Sequence, residues 1–189
     1  MSAPAATTHR VELFLGELRQ LFDSLDPAPF RSRDLDPKAA EYIVDSAREA
    51  PSGAPLALVV HLGREADGES TAGLLRDAVH EHFGRCARGR RRELRDLFRT
   101  GRISLAIGLG FLAGAIALAE YLGELIAHEG YSWMVSESLI IGGWVALWRP
   151  MEIFLYDWWP IRAEARLLDR LAAMPVSVHG APAQAEPGE

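Results

Sequence analysis

Residues 103–119 read ISLAIGLGFLAGAIALA, seventeen residues without a charged side chain. Counted on to Ala127, the stretch makes a helix of about 37 Å at about 1.5 Å per residue. Such a helix can cross a hydrocarbon core of about 30 Å, so we expect a transmembrane helix over residues 103–127. A second apolar run predicts a second span over residues 131–150.

Few residues join the two apolar runs, so the spans must form an antiparallel helical hairpin. Residues 85–102, which precede the first span, carry eight arginines and two acidic residues, whereas the connecting turn at 128–132 has no Lys or Arg. Membrane proteins concentrate Lys and Arg in their cytoplasmic loops. The sequence therefore predicts a multi-pass protein with both termini in the cytoplasm.

The arginines before the first span predict a contact with lipid. Beside a span, membrane topology and attraction to anionic headgroups explain a basic run better than a nucleic-acid site does. We expect the lipid bilayer as a partner and no nucleic acid. The residues assigned to topology and lipid headgroups are Arg88, Arg90, Arg91, Arg92, Arg95, Arg99 and Arg102.

Charge and hydropathy divide the chain into a head and a membrane part. Residues 1–84 carry eight positive and fourteen negative charges, so an acidic head precedes the basic segment. We predict an α-helical membrane hairpin of two transmembrane helices with a small cytoplasmic α/β head. The remaining predicted segments are a disordered N-terminus at 1–8, the head at 9–69, a basic amphipathic connecting helix at 70–102, juxtamembrane helices with a short strand at 151–178, and a disordered tail at 179–189.

Within the head, sequence patterns predict alternating strands and helices. The segment from His9 fits both a strand and a helical stripe, and we favour a short strand that runs into a helical turn. Asp36 and Pro37 have the chemistry that begins a helix, which we expect to reach Ala50. The apolar run 56–60 predicts a buried strand. The short run 174–178 is a candidate edge strand.

Three glutamates fall within or beside the predicted spans. Glu120 and Glu124 lie one helical turn apart on the first span, and Glu137 lies near the outer end of the second. An ionisable side chain in hydrocarbon costs about 3 kcal/mol on insertion scales, so these residues are candidates for an ion or proton pathway. The alternative is that they reach the outer headgroups or bond to neighbouring hydroxyl groups.

Small residues on the spans predict close packing between helices. Gly110 and Gly114 form a Gly-x-x-x-Gly pattern, which permits close approach of a second helix. Gly142 and Gly143 are candidate counterparts on the second span. We favour a contact within one hairpin, with a contact between chains as the alternative.

The sequence contains no constellation that names a reaction. The six histidines lack the spacing of metal ligands, and no Gly-x-Ser-x-Gly elbow is present. The glycine-rich segment 108–114 has no strand before it, so it is not a nucleotide-binding loop. We therefore predict no catalytic residue, no metal, no cofactor and no enzymatic activity.

Three segments together resemble a family of bacterial inner-membrane proteins with two spans and no established function. They are LFDSLDPAPFRSRDLDPKAAEYIVDSARE (21–49), APLALVVHL (54–62) and GWVALWRPMEIFLYDWWPIRAEARLLDRLAAMPVSV (143–178). The resemblance covers most of the chain except its two tails. It implies a location in the bacterial inner membrane, and it implies no activity.

These observations favour a non-catalytic role in the membrane. Our first hypothesis is an oligomerising scaffold or an accessory subunit of a membrane complex, with copies of the chain or another membrane protein as partners. The alternative is a subunit of an oligomeric cation or proton channel or transporter that uses the glutamates of the spans.

Overall fold

The computed structural model describes residues 8–23, 34–51, 53–63, 68–125 and 131–180. The described chain is mostly helical, with two long apolar helices and a small parallel sheet of three strands. The predictions of a disordered N-terminus and tail fall almost wholly outside these residues. The predicted tight turn at 128–132 also lies mostly outside them, because only its last two residues are described.

The order of the elements follows the sequence pattern closely. The segment from His9 is a strand that leads into a 3-10 turn at Leu18–Leu21, as favoured from its alternation. A π-helical turn at Ile153–Asp157 joins the fourth and fifth helices. The strands are β1 (His9–Leu15), β2 (Leu56–Leu62) and β3 (Val176–Gly180), and the helices are α1 (Pro37–Arg48), α2 (Gly68–Leu125), α3 (Tyr131–Ala146), α4 (Trp148–Glu152) and α5 (Trp158–Ala172).

The three strands form one parallel sheet with β2 in the centre. Val11 on β1 lies opposite Leu58 on β2, and Leu58 lies opposite Val176 on β3. All three side chains are buried, because alternate residues of a strand point to the same face. The prediction of an edge strand near the C-terminus is confirmed, although it begins at Val176 and includes His179 and Gly180.

Helix α1 begins where the sequence predicts. The Asp36 side chain accepts hydrogen bonds from the backbone N–H groups of Lys38 at 2.9 Å and Ala39 at 3.2 Å, and Pro37 occupies the first turn. An aspartate at this position satisfies N–H groups that have no partner inside the helix. The helix ends at Arg48, two residues before the predicted end.

One face of the sheet packs against helices. Ile43 of α1, Phe83 of α2 and Leu171 of α5 are buried in the same apolar core as the inward side chains of the strands. His80 Nε2 lies 2.8 Å from the carbonyl oxygen of Met174, where it donates a hydrogen bond that ties α2 to the turn before β3. The core therefore includes helical residues from both ends of the chain.

The chain divides into two compact units, which we call the sheet unit and the hairpin unit. The sheet unit takes in residues up to Gly89 and from Glu164 onward, and the hairpin unit takes in Arg90–Ala163. Helix α2 contributes its first part to the sheet unit and the rest to the hairpin unit. The sheet unit thus includes more of the chain than the predicted head at 9–69, since α2 and α5 complete its core.

Candidate functional site

The apolar residues of the hairpin unit lie mostly on its surface. Ile107 on α2 and Val145 on α3 are each 67% exposed, and Trp144 is 62% exposed. By length and composition, two helical stretches could cross a membrane, Ala72–Tyr121 and Glu137–Ala172. In the most apolar 18-residue window of these two stretches, only 17% and 22% of the window is buried, respectively. The core helix of a soluble protein, in contrast, is mostly buried.

The two apolar helices run antiparallel, as their contacts show. Gly101 on α2 approaches Ile153, Gly108 approaches Ala146 and Leu147, and Leu112 approaches Gly143. Moving along α2 toward its C-terminus therefore means moving along the partner helices toward their N-termini. A helical hairpin is the arrangement that the sequence predicted.

The close contacts use other glycines than the predicted pattern. A Cβ atom added at Gly108 would lie 2.9 Å from Leu147 Cδ2 and 3.1 Å from the Ala146 carbonyl oxygen, and one at Gly143 would lie 3.3 Å from Leu112 Cα. A Cβ atom at Gly110, Gly114 or Gly142 would meet no atom of the described residues within 4 Å. Of the four predicted packing glycines, only Gly143 makes the contact within the hairpin. For the other three, the favoured contact within the hairpin stays a prediction.

Gly110 and Gly114 instead border a shallow groove. Its volume is about 330 Å³, and apolar side chains that include Phe111 and Leu139 complete its walls. Successive helical residues are rotated by about 100°, so Gly110 lies about 200° around α2 from Gly108. The alternative reading of these glycines, a contact between chains, stays a prediction.

The candidate glutamates lie on the exposed surface of the hairpin unit. Glu120 on α2 and Glu137 on α3 are both exposed, and neither forms an ion pair with a residue that the structure describes. Glu124 lies within α2, but its side chain is outside the described residues. The side chain of Ser138, beside Glu137, donates to the Met134 carbonyl oxygen at 2.8 Å.

Some of the arginines before the apolar part of α2 are ion-paired and others are open. Arg88 binds Glu81 at 3.1 Å, and Arg90 binds Glu93 at 2.8 Å. The Nε of Arg95 donates to the Arg91 carbonyl oxygen at 3.3 Å, so its terminal nitrogens remain available. Arg92, Arg95, Arg99 and Arg102 are exposed, and none of them forms an ion pair with a described residue.

Three of these arginines share one surface pocket, which we call the arginine pocket. Its volume is about 610 Å³, and it is lined by Arg95, Asp96, Phe98, Arg99, Arg102 and Phe154. The Phe98 and Phe154 rings stack with their centroids 6.1 Å apart. Phe154 belongs to the π-helical turn, a feature that is frequent at functional sites. The sequence predicted the arginines but not their meeting with Phe154.

Aromatic side chains surround this end of the hairpin unit. Trp148, Tyr156 and Trp159 are 66%, 71% and 64% exposed. The indole N–H of Trp148 donates to Glu152 at 2.9 Å, and Arg162 lies 5.4 Å above the ring of Trp158. Tryptophan and tyrosine with an exposed ring and a bonded polar group are typical of the interface between lipid and water.

The outward face of the sheet is a feature that the sequence did not indicate. Phe14 is 73% exposed and stacks on His61 of the central strand, with ring centroids 4.5 Å apart. His179 of β3 stacks on the other side of His61 at 5.8 Å. The Nε2 atom of His61 is buried without a hydrogen-bond partner among the described residues, and the carboxylate of Glu12 lies 3.9 Å from it.

Among the described residues, no group of three His, Cys, Asp or Glu side chains is arranged to hold a metal ion. Comparisons with known proteins give no family model and no solved structure that matches this chain.

Proposed function

We propose that the protein is a two-span membrane scaffold, an accessory subunit of the bacterial inner membrane that assembles with copies of itself or with another membrane protein. The observation that carries the proposal is the exposure of large apolar side chains along α2 and α3, such as Ile107 and Val145. A soluble protein rarely exposes a continuous apolar surface of this kind. Lipid tails are the solvent that suits it.

The charge distribution supports an orientation with both termini in the cytoplasm. The exposed arginines from Arg92 to Arg102 come directly before the apolar part of α2, and Arg149 follows the apolar part of α3. Moving such charges across the bilayer is unfavourable, so they favour the cytoplasmic side. The bacterial inner membrane is the location that the family resemblance implies.

The open sheet face supports a role in assembly. Parallel sheets are almost always covered on both faces, but here Glu12, Phe14 and Ser177 on the outward face are all exposed. Aromatic residues, phenylalanine among them, are enriched in protein interfaces. The head therefore offers a surface to a sister chain or to a partner subunit.

A channel subunit is the second candidate, and the position of the glutamates favours it. Glu120 and Glu137 are exposed on the apolar helices without a described ion-pair partner, and in hydrocarbon an unpaired carboxylate is expensive. In an oligomer the same side chains could line a cation pathway. Replacing both with glutamine separates the two functions, because a scaffold keeps its assembly and a channel loses its conductance.

The scaffold proposal is tested by the mass of the complex that the full chain forms in a gentle detergent. We expect the wild-type protein to run as an oligomer or a defined complex in native mass spectrometry. Phe14→Asp places a charge at the centre of the open face, and we expect it to shift the protein toward the monomer.

The matched control is Tyr42→Asp, which changes another exposed aromatic side chain of the sheet unit, 51% exposed on α1. This variant should leave the complex intact. A wild-type protein that is monomeric after extraction, or a complex that survives Phe14→Asp unchanged, would contradict the proposed scaffold.

A further inference from the structure

We propose that the arginine pocket binds the headgroup of an acidic phospholipid that carries two phosphates. The inference deepens the proposed function, since it depends on the hairpin unit lying in a bilayer. It goes beyond the general attraction of a basic segment to anionic lipid, because it assigns one site and one class of lipid to named residues.

The positive charges of the arginine pocket are available to a ligand. Other arginines near the hairpin already have partners, such as Arg149 with Glu152 at 3.1 Å and Arg90 with Glu93 at 2.8 Å. In the arginine pocket, Arg99 and Arg102 form no ion pair with a described residue, and Arg95 uses only its Nε. Guanidinium groups form paired hydrogen bonds with phosphate oxygens, so open arginines suit a phosphate ligand.

The net charge of the arginine pocket matches two phosphates. Three arginines line the pocket together with one aspartate, Asp96, so the pocket has a formal charge of three minus one, or plus two. A phosphodiester carries one negative charge. Two phosphates therefore neutralise the pocket, whereas a lipid with one phosphate leaves a positive charge without a partner.

The arginines of the pocket lie at different depths along α2. Arg95 and Arg102 are seven residues apart, or about 10 Å along the helix at about 1.5 Å per residue. The headgroup layer of each leaflet is about 5–8 Å thick. With the hydrocarbon beginning at Ile103, Arg102 and Arg99 lie about 1.5 Å and about 6 Å outside it, within the headgroup layer, whereas Arg95 lies about 12 Å outside it, beyond that layer. Because the three side chains line one pocket, Arg99 and Arg102 can bind phosphates in the headgroup layer while Arg95 adds positive charge from the side of the water.

Aromatic rings form an apolar side of the arginine pocket. Phe98 and Phe154 stack next to the arginines, and the Trp158 ring lies 6.3 Å from Phe98. A volume of about 610 Å³ is in the range of about 300–1,000 Å³ typical of small-molecule pockets. A ligand with a charged head and an apolar body fits this combination of walls better than inorganic phosphate does.

The test uses the full chain in nanodiscs of phosphatidylcholine that contain either cardiolipin, with two phosphates, or phosphatidylglycerol, with one, at equal total charge. The protein is then released from the nanodiscs, and the lipids that stay bound to it are counted by native mass spectrometry. We expect cardiolipin to be retained about tenfold better than phosphatidylglycerol, the difference that one additional charged hydrogen bond gives. Inorganic phosphate in the buffer should not displace it.

Substitutions distinguish binding at the arginine pocket from a general attraction of lipid to positive charge. Arg99→Gln with Arg102→Gln should abolish the preference, and Arg99→Lys with Arg102→Lys should reduce it while keeping the charge that sets topology. The control is Arg88→Gln with Arg90→Gln, which removes the same charge from arginines that are already ion-paired. The control should keep the preference.

Three results would overturn the inference. They are equal retention of the two lipids, displacement of cardiolipin by inorganic phosphate, or an unchanged preference in the Arg99 and Arg102 glutamine variant. A protein that enters the nanodisc but shows no preference contradicts this site alone. A protein that does not enter a nanodisc of any composition contradicts the proposed membrane function as well.

Discussion

Asp34 ties the chain before α1 to helix α2. Its carboxylate accepts a hydrogen bond from Arg85 Nη1 at 2.9 Å and lies 3.2 Å from His82 Nδ1. The hydrogen bond from Arg85 lowers the pKa of Asp34 below its ordinary value of 3.8, although partial burial acts in the opposite direction. The charged form of Asp34 is therefore favoured in the folded protein.

The lowered pKa of Asp34 determines how the stability of the protein depends on pH. Because the pKa of Asp34 is lower in the folded state, its contribution is complete above about pH 3.8 and is lost as the pH falls through the folded-state pKa. The side chain is 41% exposed, so we expect Asp34→Asn to reduce the free energy of unfolding by only about 1 kcal/mol at pH 7.

Hydrogen exchange of the backbone amides of β2 in the full-length protein, measured against urea, checks this value. The control is Asp45→Asn, which removes a local pair with Arg48 on one exposed turn of α1 and should change stability by less than about 0.5 kcal/mol. Equal effects of the two variants, or an effect of Asp34→Asn that grows as the pH falls, would contradict this account of Asp34.

Helix α2 packs closely against α3 and α4 at two glycines, Gly108 and Gly143, which have no side chain to separate the helices. Gly108 leaves room for Leu147 and the backbone of Ala146, so a larger residue must separate the helices. We expect Gly108→Leu to destabilise the hairpin unit by about 1–3 kcal/mol, the usual range for overpacking. Thermal unfolding in detergent, followed by fluorescence of the tryptophans near the contact, measures the change.

Gly110→Leu is the matched control for that substitution. It adds the same side chain two residues further along α2, where a Cβ atom meets no atom of the described part of the chain within 4 Å. We expect it to leave the unfolding of the hairpin unit unchanged. If Gly110→Leu destabilised the hairpin as much as Gly108→Leu does, the contact face that we assign to α2 would be wrong.

The same elements show which features a sequence can predict. Helix α1 was predictable because Asp36 and Pro37 form its first turn by local chemistry alone. Strand β2 was predictable because its apolar run has no competing helical pattern. The hairpin was predictable from the short connection between two apolar runs, because so few connecting residues allow only an antiparallel pair of helices.

Other features depend on the rotation of one element against another, and here the sequence prediction was incomplete. The contact face of α2 repeats Gly101, Gly108 and Ala115 at seven-residue spacing, which is typical of antiparallel helices in close contact. The Gly-x-x-x-Gly pattern at Gly110 and Gly114 is more conspicuous but lies on another side of the helix. Both sets are small residues in an apolar helix, so composition alone does not separate them.

The sequence did not predict the open face of the sheet, for a related reason. The run of β2 is apolar on both faces, which is the pattern of a strand covered on two sides. In the structure, Leu58 and Val60 are fully buried, whereas Val59 and His61 on the opposite face are only half-buried. The sequence of one strand shows that a face is apolar, but the position of the helices decides whether it is covered.

For the whole molecule, the division of the chain into two units follows its division in charge and hydropathy. The sheet unit buries its apolar residues in one core, as a soluble domain does. The hairpin unit exposes them along α2 and α3, with open arginines at one end. We infer that lipid covers the exposed apolar surface of the hairpin unit.

Alkaline washing of membranes from bacteria that express the full chain tests whether lipid covers this surface, with wild type and Ile107→Arg compared in one fractionation. Ile107 is 67% exposed, so in water arginine is harmless there, whereas in lipid it costs about 2.5–3.5 kcal/mol. We expect wild-type protein to stay in the membrane pellet and the fraction of Ile107→Arg in the pellet to fall. Release of wild-type protein into the supernatant would contradict the account.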